Sequence, residues 1–365
     1  MNTNPYYLIL SFLLLSCSTI KKENQALTNK EQMPKNIVLM IGDGMGLSQI
    51  SAGMYKKGGS LNLEEAKYIG LIKTNSASSI ITDSAAGATA FSSGEKTYNG
   101  SINMSQDTIP LEPITMKLHD SEIKTGVIST SSVTHATPAC FYGNQINRYG
   151  VDESLAEQFL NSNINVLIGG GEDYFNKRSD GLNLIDSLKK REYTVIDSIA
   201  DPIEKSVEKL INFCAPKEPV SIIDGRGSFL ELAAIKALSV LNTSSNGFFL
   251  MIEGSQIDWG GHDMDSDYII SEMIDFDNTI KEVLEFAKED QNTLVLVTAD
   301  HETGGYGIVG GNIKSKTIQG RFLNDDHTAT MVPLFAFGPG AEKFIGTYHN
   351  HELHYKILDA FQISY

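Results

Sequence analysis

Short apolar segments alternate along this chain with longer segments of helical periodicity, and this alternation limits the fold more than any other feature. The predicted strands are Asn36–Ile41, Thr125–Thr130, Asn165–Ile168, Phe248–Ile252, Thr293–Thr298 and Val332–Phe337. The predicted helices are Val151–Asn161, Ser228–Leu241 and Ser266–Lys288. Strands that alternate with helices predict an α/β fold with a mostly parallel central β-sheet and helices on both faces. The length of 365 residues suits one large domain with insertions or two small domains.

The first residues predict export rather than a part of the fold. Tyr6–Ser16 is nearly all apolar, too short to span a membrane and placed as the core of a signal peptide. It ends in Leu-Leu-Ser-Cys, which resembles a bacterial lipoprotein cleavage box. We therefore expect a lipoprotein-type signal peptide over residues 1–17, with the mature chain starting at a lipidated Cys17. The alternative is a conventionally cleaved signal peptide in which Cys17 is incidental.

This interpretation also predicts where the protein lies. The polar residues 18–34 predict a tether, and residues 35–365 predict the catalytic domain. The expected location is extracytoplasmic, in the periplasm or at the cell surface, with a lipid anchor as the sole attachment to a bacterial membrane.

The formal net charge of −16 excludes nucleic acid as the main partner, because phosphate backbones are held by clusters of Lys and Arg. The same charge will not draw an anionic substrate toward the protein. An anion site must therefore be built from local positive charge, and bound metal ions are its strongest source.

Polar side chains gather where the predicted strands end. Asp43 follows the first strand, Glu253 follows Phe248–Ile252, and Asp300 with His301 follows Thr293–Thr298. Chemistry in such sheets collects at the carboxyl ends of the strands, so these residues predict one shared site.

Three further residues have side chains that commonly bind metal ions. Asp258 and His262 stand four residues apart, which turns both side chains to one side of a helix or tight loop, and His327 follows later in the chain. Imidazole and carboxylate suit Zn²⁺, and carboxylate with hydroxyl or water suits Mg²⁺. Any one of these histidines alone could be structural; their shared position beside carboxylates favours a metal site.

The glycine-rich segment at 42–46 has an alternative interpretation as a dinucleotide-binding loop. Its order is G-x-G-x-G, which does not match the G-x-G-x-x-G fingerprint. We favour a role in which glycine lets the backbone crowd around a metal bound to Asp43.

Ser84 lies in the segment DSAAGATA at 83–90, before a run of small residues with helical character. A serine at a helix N-terminus could meet an anion, or it could simply cap the helix. If the histidines bind metal, none is left as the base of a Ser-His-Asp arrangement, and a metal can instead hold Ser84 as an alkoxide.

Taken together, these segments resemble the bacterial alkaline phosphatases, in order over most of residues 36–340. The matching segments are MIGDGMG at 40–46, TDSAAGATAFSSGEKTYNG at 82–100, HATPA at 135–139, Arg148, IEGSQIDWGGH at 252–262, TADHETGG at 298–305 and DHT at 326–328. The resemblance implies an alkaline-phosphatase-like fold that hydrolyses small-molecule phosphate monoesters through a phosphoserine intermediate on Ser84.

The resemblance also implies two Zn²⁺ and one Mg²⁺ per chain. The implied zinc ligands are Asp258, His262 and His327 for the first ion and Asp43, Asp300 and His301 for the second. The implied ligands of the third ion are Asp43, Thr137 and Glu253. Arg148 would clamp two phosphate oxygens with its planar fork. A homodimer is a further family expectation.

Two positions depart from one well-known branch of the family. Where that branch has an acidic residue and a lysine, this chain has His135 and Trp259 near the implied third metal site. A histidine there could admit Zn²⁺ or Co²⁺ where Mg²⁺ is expected. Trp259 cannot carry a positive charge to phosphate, and the alternative for it is packing beside the site.

The same residues are compatible with other functions. The same two-metal core could serve a phosphodiesterase or sulfatase, although a clamp on two free oxygens suits a monoester. A non-enzymatic surface lipoprotein that binds metal or phosphate would need the ligands but not Ser84. Cys140 and Cys214 could form a disulfide or stay free. A tail cluster of His349, His351 and His354 could bind metal or be structural.

Overall fold

The apolar segments of the sequence form one large sheet in the computed structural model, which describes Met1 and residues 33–365. The strands of the described residues are β1 (Asn36–Gly42), β2 (Tyr68–Lys73), β3 (Lys124–Ser132), β4 (Val166–Gly170), β5 (Thr194–Ile196), β6 (Leu210–Ala215), β7 (Phe248–Gly254), β8 (Thr293–Thr298), β9 (Glu302–Thr303), β10 (Gly307–Asn312), β11 (Thr317–Arg321), β12 (His327–Thr328), β13 (Val332–Phe337) and β14 (Gly346–His349). The helices are α1 (Leu47–Lys57), α2 (Ser84–Ser93), α3 (Ile114–Asp120), α4 (Ala136–Ala139), α5 (Asp152–Phe159), α6 (Asp173–Asn176), α7 (Leu184–Lys190), α8 (Phe229–Leu241), α9 (Gln256–His262), α10 (Ser266–Asp290) and α11 (Glu352–Ala360). Two short 3₁₀ helices span Asn62–Glu65 and Ala341–Phe344.

The large sheet has the strand order β14-β2-β13-β8-β1-β7-β3-β4-β6-β5. Strand β13 runs antiparallel to both of its neighbours, β8 and β2, and the remaining pairs in this sheet are parallel. The prediction of a mostly parallel central sheet is therefore confirmed. Because the central strands are parallel, their carboxyl ends meet along one edge.

The central strands are buried on both sides. Every residue of β1, β7 and β8 is buried, so successive side chains on both faces are covered. Helices α8 and α10 contact the sheet and each other, and α3 and α4 contact it as well. Helices on both faces are what a fully apolar parallel strand requires.

The predicted strands and helices all form, with shifts of at most two residues at their ends. Strands β2, β5, β6 and β14 were not predicted from the sequence. Strand β2 lies near one edge of the sheet with three of its six residues exposed, and β5 has three residues. Short or half-exposed segments of this kind carry too little periodicity to be distinguished from loops.

Helix α10 packs closely against the end of β7. The Asp265 side chain begins the helix by accepting the backbone N–H groups of Asp267 and Tyr268. A Cβ at Gly254, the last residue of β7, would lie 2.7 Å from the Phe276 ring. Glycine therefore allows this helix to approach the edge where the polar residues gather.

The predicted signal peptide and tether fall outside the described residues, except for Met1, Met33 and Pro34. Both segments, and the domain boundary at residue 35, remain predictions. In the part of the chain that the structure describes, the helices are too short or too polar to cross a bilayer. Cys140 is buried, Cys214 is exposed, and both are free thiols rather than a disulfide.

Candidate metal centre and active site

Three carboxylates meet at the carboxyl edge of the central strands. Asp43 directly follows β1, and Glu253 lies near the end of β7, where it pairs in register with Ile41. Asp300 lies two residues after β8, the other neighbour of β1. All three side chains are fully buried. The adjacency of β8, β1 and β7 therefore brings together residues that are far apart in sequence.

One group of metal-ligand side chains consists of Asp258, His262 and His327, whose ligand atoms lie within 4.8 Å of one another. Helix α9 places Asp258 and His262 on one side, with 3.4 Å between Oδ2 and Nε2. Nε2 of His327 lies 3.5 Å from Asp258 Oδ1 and 3.2 Å from His262 Nε2. Three ligand atoms this close face one centre, as the sequence predicts.

A second group consists of Asp43, Asp300 and His301, with the same 4.8 Å limit. Nε2 of His301 lies 3.4 Å from Asp43 Oδ1 and 3.3 Å from Asp300 Oδ2. The hydroxyl oxygen of Ser84 lies 3.3 Å from the same nitrogen. Ser84 therefore faces this group directly.

Hydrogen bonds decide which nitrogen each histidine presents. Nδ1 of His262 donates to the Asp325 carbonyl at 2.7 Å, and Nδ1 of His327 donates to the Thr82 carbonyl at 2.8 Å. A carbonyl can only accept, so both Nδ1 atoms carry hydrogen and Nε2 is the nitrogen that each ring turns toward the ligand group. Partners of this kind orient histidine ligands in metal sites.

The hydroxyl of Thr303 orients the remaining histidine. It donates to Asp258 Oδ1 at 2.5 Å, so it accepts from Nδ1 of His301 at 3.2 Å. This leaves the His301 Nε2 lone pair between carboxylates. A Ser-His-Asp triad would instead need an acid on Nδ1. The arrangement around His301 fits a cation better than it fits a triad.

A third set of buried polar atoms lies beside the second group. The carboxylate oxygens of Asp43 and Glu253, the Oδ2 atom of Asp300 and the hydroxyl of Thr137 make no well-formed hydrogen bond within the described residues. Burying unpaired carboxylates costs several kcal/mol each, on the order expected for uncompensated ions. Oxygen donors left in this state fit Mg²⁺ or Zn²⁺ in both chemistry and charge.

Ser84 is the first residue of α2, and Asp83 does the capping. Asp83 Oδ1 accepts the backbone N–H of Ala86 at 3.0 Å, and Oδ2 accepts that of Gly100 at 2.8 Å. The serine hydroxyl is therefore free for another role. Small residues let this buried helix approach the ligand loop, since a Cβ at Gly87 would lie 3.1 Å from Asp300 Cβ.

Arg148 borders the same cavity as Ser84, a space of about 640 Å³. Its backbone N–H donates to the Gly100 carbonyl at 2.7 Å. Its guanidinium lies 3.5 Å from Asp83 Oδ2 and donates to His135 Nε2 at 3.1 Å. The guanidinium is thus held beside the helix terminus that carries Ser84, where an anion would find both.

Residues 34–322 match the family model described as Alkaline phosphatase. The chain belongs to the alkaline phosphatase family. Alkaline phosphatase 3 of Bacillus subtilis strain 168 is 35% identical over 333 residues, which cover 86% of this chain and 71% of that protein. The chain is an alkaline phosphatase, a phosphoric monoester hydrolase.

Solved alkaline phosphatases share the fold. The enzyme from the Antarctic bacterium TAB5 is 43% identical, with 92% of this chain and 100% of that chain covered and a TM-score of 0.87. A variant of that enzyme with a histidine-to-aspartate substitution has Mg bound in its M3 site; it is 41% identical, with the same coverage and TM-score. The enzyme of a psychrophilic Shewanella is 27% identical, with 89% and 99% covered and a TM-score of 0.82.

His135 and Trp259, the two residues that depart from one branch of alkaline phosphatases, are neighbours. Their ring centres are 6.0 Å apart with the rings at 70°. Burial and the Arg148 charge lower the pKa of His135 to about 3, so the ring is neutral. Because a guanidinium can only donate, His135 Nε2 accepts and Nδ1 carries the hydrogen. That Nδ1 is buried without a hydrogen-bond partner among the described residues.

Protons compete with cations at this site. Burial raises the pKa of Glu253 to about 8 and that of Asp300 to about 6. Burial and the Asp300 charge raise the pKa of Asp43 well above its ordinary value. The hydrogen bond to Asp258 raises the pKa of His262 to about 9. Burial also acts to raise the pKa of Asp258, but its His262 hydrogen bond and three nearby histidines hold it below its ordinary value.

Two residues that hold the site together were not predicted from the sequence. Thr303 links the two ligand groups, and Asp83 holds both α2 and Arg148. Both stand inside matching motifs, but a motif match does not reveal which hydrogen bonds form.

The tail histidines do not make a third ligand group. His349 and His351 have ring centres 5.7 Å apart, while His354 is buried. The groups of three metal-ligand side chains found among the described residues are the two given above, and the tail is in neither. The structural interpretation of the tail is favoured.

Cation binding should strengthen as pH rises from 6 to 8. Protons on Asp300, Glu253 and His262 must leave before a cation binds, so apparent Zn²⁺ affinity should rise about tenfold or more across this range. Competition with a chromophoric chelator measures it. Glu253→Gln removes one of these titrating groups and should make the rise in affinity between pH 6 and pH 8 shallower. Equal affinity at pH 6 and pH 8 would contradict the electrostatic account.

Proposed function

We propose that this alkaline phosphatase cleaves phosphate monoesters to alcohol and inorganic phosphate through a phosphoserine on Ser84. The observation that carries the proposal is the position of the Ser84 hydroxyl, 3.3 Å from His301 Nε2 and on the same cavity as Arg148. The serine is freed from capping by Asp83, and the cavity brings it together with a cation-binding group and a guanidinium.

Two Zn²⁺ ions and one Mg²⁺ ion are the proposed cofactors. Asp258, His262 and His327 would hold the first zinc, and Asp43, Asp300 and His301 would hold the second. The third ion would lie with Asp43, Glu253 and Thr137, whose oxygens are otherwise unpaired. Bound zinc lowers the pKa of hydroxyl groups and stabilises charge on the attacking and leaving oxygens of an in-line displacement, for which the phosphatases are a standing example.

The chain's own residues carry the remaining tasks. Ser84 Oγ loses its proton and forms a bond to phosphorus while the bond from phosphorus to the alcohol oxygen breaks, and the alcohol oxygen gains one proton. A water oxygen then forms a bond to phosphorus while the bond from phosphorus to Ser84 Oγ breaks, and one proton of that water is balanced by the proton that Ser84 Oγ regains. Arg148 donates N–H groups to two phosphate oxygens, and the N-terminus of α2 faces the same charge. These donors offset the negative charge of the phosphate, which the acidic protein as a whole would repel.

Ser84→Ala should lower kcat/KM for p-nitrophenyl phosphate at high pH by about a thousandfold or more, because it removes the nucleophile. EDTA should abolish the wild-type activity as well. The zinc content of the variant should stay at the wild-type value, which separates loss of chemistry from loss of metal. A fully active Ser84→Ala enzyme would overturn the phosphoserine mechanism.

The same assay tests the alternatives from the sequence. A diester leaves one fewer unesterified oxygen for Arg148 to bind, so bis-p-nitrophenyl phosphate should be the poorer substrate. Preference for the diester, or for p-nitrophenyl sulfate, would instead favour a phosphodiesterase or sulfatase. A purified protein that turns over none of these esters would favour the non-enzymatic lipoprotein.

We also propose that His135 weakens the third cation site. Its Nε2 lone pair is used by Arg148, so the ring offers the interior an N–H rather than a ligand. The related TAB5 variant with aspartate in place of a histidine supports this view, since it has Mg bound in its M3 site. Carboxylate is also a better Mg²⁺ ligand than imidazole.

His135→Asp should therefore raise Mg²⁺ affinity by at least about tenfold, measured by isothermal titration on the zinc-loaded enzyme. His119→Asp makes the same substitution at an exposed histidine of α3 and should leave the affinity at its wild-type value. Equal Mg²⁺ binding by wild type and His135→Asp would contradict the proposal.

A lipid anchor on Cys17 and an extracytoplasmic location complete the proposal, supported by the apolar Tyr6–Ser16 and the Leu-Leu-Ser-Cys segment. Expressed in a bacterial host, the wild-type protein should partition with detergent in a phase-separation assay, and Cys17→Ser should lose the lipid and move to the aqueous phase. An aqueous wild-type protein would exclude the anchor. The homodimer remains a family expectation.

A further inference from the structure

The active-site cavity is larger than a phosphate group requires. Its volume of about 640 Å³ lies in the range of pockets that hold drug-sized ligands. Ser84 and Arg148 line it, and Tyr149, Trp259 and Ile81 add apolar surface to the same wall. The space beyond the phosphate site must receive the alcohol part of the ester.

Tyr149 presents its ring beside the guanidinium of Arg148. The guanidinium carbon lies 5.7 Å from the ring centre, a cation–π distance. The Tyr149 backbone N–H donates to Asn147 Oδ1 at 3.0 Å, and Arg148 is tied to Gly100. The backbone is thus held while 75% of the residue's surface remains exposed. An aromatic side chain this exposed at a cavity mouth can take a ligand on its face.

Trp259 is the second aromatic side chain of the cavity wall. It is half-buried on α9, between Asp258 and His262 of the first ligand group. The ring of His135 meets it edge-on, which fixes one side of the indole. Trp259 lies on the same helix as Asp258 and His262, so the ligand group also fixes the position of the indole relative to a bound phosphate.

The charge of the wall limits what the leaving part can be. Besides Asp83 and Asp258, Asp326 also borders the cavity, and the whole chain carries −16. Further negative charge on the alcohol would be repelled, whereas a flat, uncharged ring would gain apolar and stacking contacts.

We propose that Tyr149, with Trp259, forms a stacking subsite for a flat aromatic group on the leaving alcohol. The substrates it favours are monoesters such as nucleoside monophosphates, in preference to sugar or alkyl phosphates with the same phosphate linkage. This inference rests on the proposed phosphomonoesterase function.

Adenosine 5′-monophosphate and ribose 5-phosphate test it, because both release phosphate from a primary 5′-oxygen and differ in the base. The wild-type zinc- and magnesium-loaded enzyme should show a kcat/KM about tenfold higher for the nucleotide, because stacking of the base on an aromatic ring stabilises its binding by about that factor. Tyr149→Ala should bring the ratio of the two constants to about one, and Tyr149→Phe should keep it. Tyr55→Ala removes an exposed tyrosine that lies outside this cavity and should keep the wild-type ratio.

A wild-type ratio near one, or an unchanged ratio in Tyr149→Ala, would overturn the subsite while leaving the phosphatase function in place. Loss of the ratio in Tyr149→Phe would also overturn stacking, since that variant keeps the ring and removes the hydroxyl. No hydrolysis of either ester by the wild type would overturn the proposed function and this inference with it.

Discussion

The buried carboxylates at the carboxyl edge of β1, β7 and β8 are the constraint on which the rest of the site depends. Asp43 and Glu253 are fully buried at this edge, and their oxygens lack well-formed hydrogen bonds within the described chain. Burial alone drives their pKa values upward, so they hold protons unless cations take their place. Cation binding at these groups would also stabilise the fold, because a cation would offset carboxylate charge that water does not reach.

Hydrogen bonds to the histidines fix the direction in which each imidazole ring faces the carboxylates. Each of His262 and His327 commits Nδ1 to a backbone carbonyl, and His301 commits Nδ1 to Thr303. All three Nε2 atoms consequently face carboxylates. His135 differs, because Arg148 donates a hydrogen bond to its Nε2 atom. The Nε2 lone pair of His135 is therefore already used and does not face a carboxylate. Four histidines of identical chemistry thus differ in role through the partner of one nitrogen.

Much of the fold and of the candidate site could be predicted from the sequence. The six predicted strands form, because each is an apolar run long enough to be buried on both sides. The edge strands β5 and β14 and the half-exposed strand β2 could not be predicted, since partly exposed or very short strands depend on their neighbours for stability. Asp43, Asp300 and His301 were predicted to gather and do gather, whereas the link made by Thr303 could not be foreseen.

The sequence by itself determined the class of fold, the residue types that stand at the strand ends and the family to which the chain is similar. These follow from local composition and spacing, which hold in any conformation. Only the tertiary structure decided that Asp83 caps α2 and leaves Ser84 free, that Cys140 and Cys214 stay apart as thiols, and that Tyr149 is exposed on the cavity. The physical reason is that contacts such as His327 with the Thr82 carbonyl join residues 245 positions apart, and no local pattern encodes which partner a side chain will meet.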